Sequence, residues 1–392
     1  MILSKNKSIK FFLIISMLIL CFTDILVSIS QNYLIYSSSF KMFLFSLIVL
    51  YIISNISLVI NEKYMLKYYL PIVFYTIMMI PSSVDIQLAV YFEVKWFFAI
   101  SAGYFFYVLR LKNILDDDLL QKIVIILIFG GMFTLLTEQV LKDSYVIQSN
   151  HGYSLLFLIP LILIAFQSTP KKKIIYFLIL GLFIIIALKR GAIIIFAVIF
   201  LLIFLPQIIK SKSLSLKLLF IIMLILITGI LIVNANIIND LLMRAEDTSG
   251  SGRDMLFALF LEKIFNRSSI EIIFGSGPIS AIAYSGTVLG TRHGATYGLL
   301  PHSDGLLVLF EYGFIGLFMY MYIMVKLFSL AKNKFTIYKH AVISILIIYL
   351  FVAIYSHVFF NDSSWKLLAA LGIVSADLKL YKQILLNDKK LK

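Results

Sequence analysis

Long uninterrupted apolar runs alternate with short polar segments along most of this chain, and the runs cluster near twenty residues. That is the length an α-helix needs to cross about 30 Å of hydrocarbon. The pattern predicts about twelve transmembrane helices, over 9–29, 40–60, 64–81, 88–109, 119–140, 151–167, 173–188, 191–207, 216–235, 303–325, 339–358 and 364–379. A transmembrane barrel would instead alternate polar and apolar positions within strands of about ten residues. Helices satisfy their own backbone donors and acceptors in lipid, so the expected class is an all-α polytopic membrane protein. One stretch, from about Asn234 to Pro301, breaks the pattern. It divides the chain into helices one to nine (1–235), a large loop (236–302), and helices ten to twelve with a tail (303–392).

Composition agrees: 61% of the 392 residues are hydrophobic, only 14% are charged, and the mean hydropathy is +1.01. A water-facing domain is nearer half apolar and a quarter charged. The net charge of +14 would suit nucleic acid, but its distribution suits a membrane better. Twenty-three of the 34 lysines and arginines fall on one set of alternate connections, including Lys5, Lys7, Lys10, Arg110, Lys171, Lys172, Lys173 and Lys382. By the positive-inside rule those connections and both termini are cytoplasmic, and the large loop is extracytoplasmic. The first apolar run follows Lys10, exceeds a signal-peptide core and lacks a small-residue cleavage site, so it reads as an uncleaved helix. Cys21 is the sole cysteine, which leaves no intrachain disulfide.

The cations on the other side differ in kind. Arg190, Arg244, Arg253, Arg267 and Arg292 gather in or beside the large loop, whereas Arg110 is the only arginine of the cytoplasmic set. Topology needs only a cation, while a planar guanidinium grips phosphate or carboxylate with two hydrogen bonds. Salt bridges to Asp240, Glu246, Asp247, Asp254, Glu262 and Glu271 are the alternative use. Within the loop, Ser251-Gly252-Arg253-Asp254 reads as a capping box. Met255, Leu256, Leu259, Phe260, Ile264 and Phe265 follow at helical spacing, predicting an amphipathic helix with Arg253 in its anion-attracting first turn. Gly275-Ser276-Gly277-Pro278 reads as a turn or a weak phosphate loop.

Pro301 suits the first turn of the tenth helix, which places His302 and Asp304 at its extracytoplasmic end. An imidazole there either marks the interface or handles a proton. Glu311 lies nine residues on, about 13 Å deeper at helical rise. A carboxylate inside a span needs a partner or a role. Gly313 and Gly316 beside it would permit close helix packing. Arg190 sits in a turn so short that it must lie at the outer surface. Glu93, Lys95, Glu138, Asn150 and His151 are further polar residues in or near the outer halves of spans, and Glu93 and Lys95 would pair with other helices. No metal-ligand spacing or Walker loop occurs, so no metal or cofactor is expected.

Taken in order, Lys189-Arg190-Gly191, Ser251-Gly252-Arg253-Asp254, Gly275-Ser276-Gly277, Pro301-His302-Ser303-Asp304 and Glu311-Tyr312-Gly313-Phe314-Ile315-Gly316 resemble the O-antigen polymerase and O-antigen ligase superfamily. The motifs cover about residues 150–330. The resemblance implies a GT-C-like, metal-independent glycosyltransferase of the bacterial inner membrane. Its substrates would be polyprenyl-diphosphate-linked oligosaccharides, as donor and acceptor, and its partners the lipid bilayer, a chain-length regulator and a flippase, with no nucleic acid. It implies that Arg190 and Arg253 hold the donor diphosphate and that His302 orients or deprotonates the acceptor hydroxyl. Arg292, Arg244, Asp304 and Glu311 are further substrate-binding candidates. A ligase histidine is usually followed by Asn, and here Ser303 follows.

The first expectation is polymerisation of repeat units into O-antigen, capsular or exopolysaccharide. Transfer of finished polymer to lipid A-core by a ligase is the alternative within the superfamily. A lipid-linked oligosaccharide flippase is the alternative of another class; it would place charges along a central cavity and show two related halves.

Overall fold

The computed structural model describes residues 2–30, 33–141, 151–187, 189–210, 221, 253–289, 300–301, 303–332, 338–355 and 362–390. All regular structure among them is helical. Among the described residues, five helices are long and apolar enough to cross a membrane, over Asn6–Ile29, Tyr36–Ile53, Ile86–Leu111, Asp117–Glu138 and Asp304–Lys332. Shorter apolar helices occupy His151–Ala165, Gly191–Phe204 and Lys339–Ala353. The outer faces are apolar too: Phe11, Phe22, Phe43, Leu50 and Phe318 are exposed. A water-soluble surface does not carry such a continuous apolar coat, and together these features make a multi-pass membrane protein.

The helices used below are α1 (Ile2–Ile29), α2 (Leu34–Ile53), α3 (Ile56–Ile60), α4 (Leu70–Met79), α5 (Ile86–Leu111), α6 (Asp117–Leu141), α7 (His151–Leu156), α8 (Ile159–Ala165), α9 (Pro170–Ile186), α10 (Arg190–Ile199), α11 (Leu205–Lys210), α12 (Arg253–Phe265), α13 (Ser269–Phe274), α14 (Ser280–Leu289), α15 (Asp304–Lys332), α16 (Lys339–Tyr355) and α17 (Trp365–Lys390). Most coincide with the apolar runs to within a few residues. The run at 151–167 is interrupted, because Pro160 starts a second helix after α7. The run at 64–81 is a ten-residue helix flanked by 3-10 turns. The span expected at 216–235 lies outside the described residues, apart from Ile221.

α5 and α17 form the centre of the bundle and run side by side in the same direction. The glycines Gly103 and Gly372 permit this contact, since a Cβ on Gly372 would meet the Gly103 carbonyl oxygen at 2.1 Å. Trp365, at the start of α17, packs on Phe106, and Arg110 grips Asp377 with two hydrogen bonds of 2.8 and 3.1 Å near the C-terminus of α5. Arg110 also donates to Asp117 at 2.8 Å, and Lys10 pairs with Asp116 nearby. These groups define the Arg110 end of the bundle. The opposite end, called the Asp24 end, brings together Asp24 with Lys41 and His151 with Glu138.

Candidate functional site

The Asp24 end is opened by a cleft between α1, α2, α5, α6, α7 and α17, with a cavity of about 120 Å³. Its walls carry Asp24, Lys41, Lys95, His151, Ser154 and Lys366, on apolar packing from Leu20, Phe45, Phe98 and Trp365. Lys41 pairs with Asp24 at 3.1 Å, and His151 Nε2 lies 3.6 Å from Glu138 Oε2. Lys95 leans over the ring of Tyr91, one turn earlier on its own helix, at 4.4 Å. Lys366 is the deepest cation. It is 8% exposed and donates to the Ser154 hydroxyl at 2.6 Å and the Ser154 carbonyl at 3.1 Å. Ser363 also donates to the Ser154 hydroxyl, at 3.1 Å. Short helix α7 thus presents Ser154 to the cleft while its other side backs onto the α9–α10 turn. There a Cβ on Gly152 would sit 3.2 Å from Ala187 and Lys189, and one on Gly191 would strike the Tyr153 hydroxyl.

A second built feature lies within α15, which is broken at Gly313 (φ 64°, ψ −164°). A break leaves carbonyls without helical partners, and here a segment distant in sequence and Tyr75 of α4 bond the carbonyls that precede it. Phe310 O accepts from Ser276 N at 3.3 Å and from Arg267 Nη1 at 2.8 Å. Glu311 O accepts from Gly277 N at 2.9 Å. The Tyr75 hydroxyl lies 3.2 Å from Tyr312 O and 2.7 Å from Phe274 O. The approach is too close for side chains: a Cβ on Gly275 would meet Glu311 O at 2.2 Å, and one on Gly313 would meet Ile273 O at 2.3 Å. Both glycines have positive φ. The turn reading of Gly275-Ser276-Gly277 therefore describes the backbone, and its task here is to seal a helix break.

Three predicted site residues, Arg244, Arg292 and His302, lie outside the described residues. Arg190 begins α10 and Arg253 begins α12, as the sequence pattern places them, although the side-chain positions of both lie outside the described residues. Asp304 begins α15 and is fully buried, within electrostatic range of the Tyr320 and Tyr349 hydroxyls. The buried Glu311 carboxyl accepts from the Ala281 amide at 3.4 Å, at the start of α14. Arg267 stacks on the Phe310 ring at 3.5 Å, so this member of the arginine group serves the helix break. Glu93, expected to pair with another helix, accepts from the Tyr312 hydroxyl of α15.

No family model matches the chain, and no curated protein sequence matches it.

The Asp24-end cleft escaped the sequence reading because its lysines lie in three different apolar runs. Lys41, Lys95 and Lys366 each interrupt such a run on the side that the positive-inside rule disfavours. That placement is the signal the sequence carries, and of the three lysines only Lys95 stands out in it as a polar residue inside a span. A capping box at Ser268-Ser269-Ile270-Glu271 was also readable; Ser268 and Glu271 make both of its hydrogen bonds and start α13. Among the described residues no group of three or more His, Cys, Asp or Glu side chains could hold a metal ion. Chemically, the cleft concentrates positive charge and hydroxyl donors between helices, while the junction at Gly313 fixes backbone.

Proposed function

We propose that the chain is a membrane glycosyltransferase that polymerises polyprenyl-diphosphate-linked oligosaccharide repeat units at the extracytoplasmic face of a bacterial inner membrane. The observation that supports this most is the meeting of two motifs that carry the superfamily resemblance: Gly275-Ser276-Gly277 and Glu311-Tyr312-Gly313 lock together through the Gly277–Glu311 hydrogen bond. The lysine bias assigns the Arg110 end to the cytoplasm, which leaves the Asp24 end and the large loop outside. The remaining expected spans complete a bundle of about twelve helices of GT-C-like type around that loop.

In this reading Arg190 and Arg253 hold the donor diphosphate. His302 orients the acceptor hydroxyl and takes its proton as the oxygen attacks the anomeric carbon of the growing chain. The bond from that carbon to the diphosphate oxygen breaks, and the arginines stabilise the charge on the departing lipid diphosphate. The new glycosidic bond leaves the chain one repeat longer on the acceptor's lipid.

One observation favours the flippase reading: Lys41, Lys95 and Lys366 line a cleft between helices. Removing the gene and analysing the surface and lipid-linked glycans separates the readings. A polymerase leaves single capped repeat units at the surface. A ligase leaves long polymer on its lipid carrier, and a flippase leaves unpolymerised lipid-linked units on the cytoplasmic side.

A further inference from the structure

Among the described residues, three lysines and one carboxylate line the cleft at the Asp24 end. Asp24 lies 3.1 Å from Lys41, and Glu138 sits behind the wall near His151. Lys366 is nine-tenths buried, and the hydrogen bonds from its ammonium go to neutral oxygens, both of Ser154. Burying an ammonium among helices is costly unless an opposite charge compensates it, and such residues in membrane bundles mark ligand or ion sites. Their mutual repulsion is strongest in the low dielectric between helices. A multiply charged anion would relieve it.

We propose that this cleft binds a phosphate-bearing anion, held by the ammonium groups of Lys366, Lys41 and Lys95. Lysine suits phosphate as a compact point charge that approaches from any direction. The cavity of about 120 Å³ accommodates a phosphate or diphosphate group along with water. The lining also includes Met42, Phe45 and Tyr91, so the mouth presents apolar as well as charged surface. A lipid head group or a soluble phosphate would satisfy the same cations. The described lining residues are different residues from the arginines and the histidine of the polymerase reading. Failure of the anion site would leave that reading intact.

The test uses the full chain in phosphatidylcholine nanodiscs with inorganic pyrophosphate as the soluble probe, and nanodiscs containing phosphatidylglycerol as the lipid probe. Lys41→Gln and Lys366→Met are compared with wild type, and Lys122→Gln at the opposite end is the control. Lys41 is about one-third exposed, so its variant retains the fold even if Lys366→Met does not. A soluble-anion site gives saturable pyrophosphate binding that weakens about tenfold in each cleft variant and less than about twofold in Lys122→Gln. A head-group site gives a higher unfolding midpoint in phosphatidylglycerol for wild type and Lys122→Gln, with the gain lost in the cleft variants. The proposal is overturned if neither probe affects wild type, or if Lys41→Gln responds to both probes as wild type does.

Discussion

The Gly277 amide donates a 2.9 Å hydrogen bond to the carbonyl oxygen of Glu311, joining the loop after α13 to the break in α15. The contact exists because Gly313 adopts φ 64° and ψ −164°, a region closed to residues with a side chain. Gly313→Ala would force its Cβ to within 2.3 Å of the Ile273 carbonyl. The expected cost is about 2 kcal/mol or more, since backbone strain and a clash add. The unfolding midpoint in detergent should fall clearly for Gly313→Ala and stay unchanged for Gly305→Ala, where a Cβ meets open space out to 4.0 Å.

Arg267 holds the same break through Phe310 O at 2.8 Å and the Phe310 ring at 3.5 Å. A lysine can supply a charge but not the planar stack with a directed hydrogen bond. Arg267→Lys should therefore destabilise by about 1–2 kcal/mol, with exchange of the amide hydrogens of Ser276 and Gly277 accelerating as the direct readout.

The Tyr312 hydroxyl and the Glu93 carboxyl form a buried pair between α15 and α5. Removing one partner strands the other, whereas removing both does not. Tyr312→Phe and Glu93→Ala should show a coupling of about 1–3 kcal/mol in a double-mutant cycle on unfolding. Strictly additive effects would contradict the pairing.

At the Arg110 end, burial opposes ionisation of Asp116, but hydrogen bonds from Lys10 and the Leu119 amide outweigh it and hold the carboxyl below its usual range. A carboxyl depressed in the folded state contributes stability above its unfolded value of about 3.9, and that contribution is lost as pH falls through the folded value. Asp116→Asn should be less stable than wild type at neutral pH, and the gap in unfolding midpoint should close as pH drops below about 4.

Span positions were legible because each depends only on local hydropathy: the runs predicted at 88–109, 119–140 and 339–358 appear as Ile86–Leu111, Asp117–Leu141 and Lys339–Tyr355. The break at Gly313 was not legible. Nothing local distinguishes that glycine from Gly316, which stays helical; the difference is the loop at 273–277 that comes to meet it. The cationic cleft was hidden for a similar reason, since Lys41, Lys95 and Lys366 converge only when α2, α5 and α17 assemble. Conversely, the helix starts at Arg190 and Arg253 were readable from the lysine-arginine turn and the capping pattern.

The most direct measurement is surface glycan length in cells that depend on this chain, comparing wild type with Arg190→Ala, Arg253→Ala and His302→Ala at matched protein levels. The polymerase account predicts that long polymer collapses to a single capped repeat unit in all three variants. Unchanged polymer length in all three would contradict it.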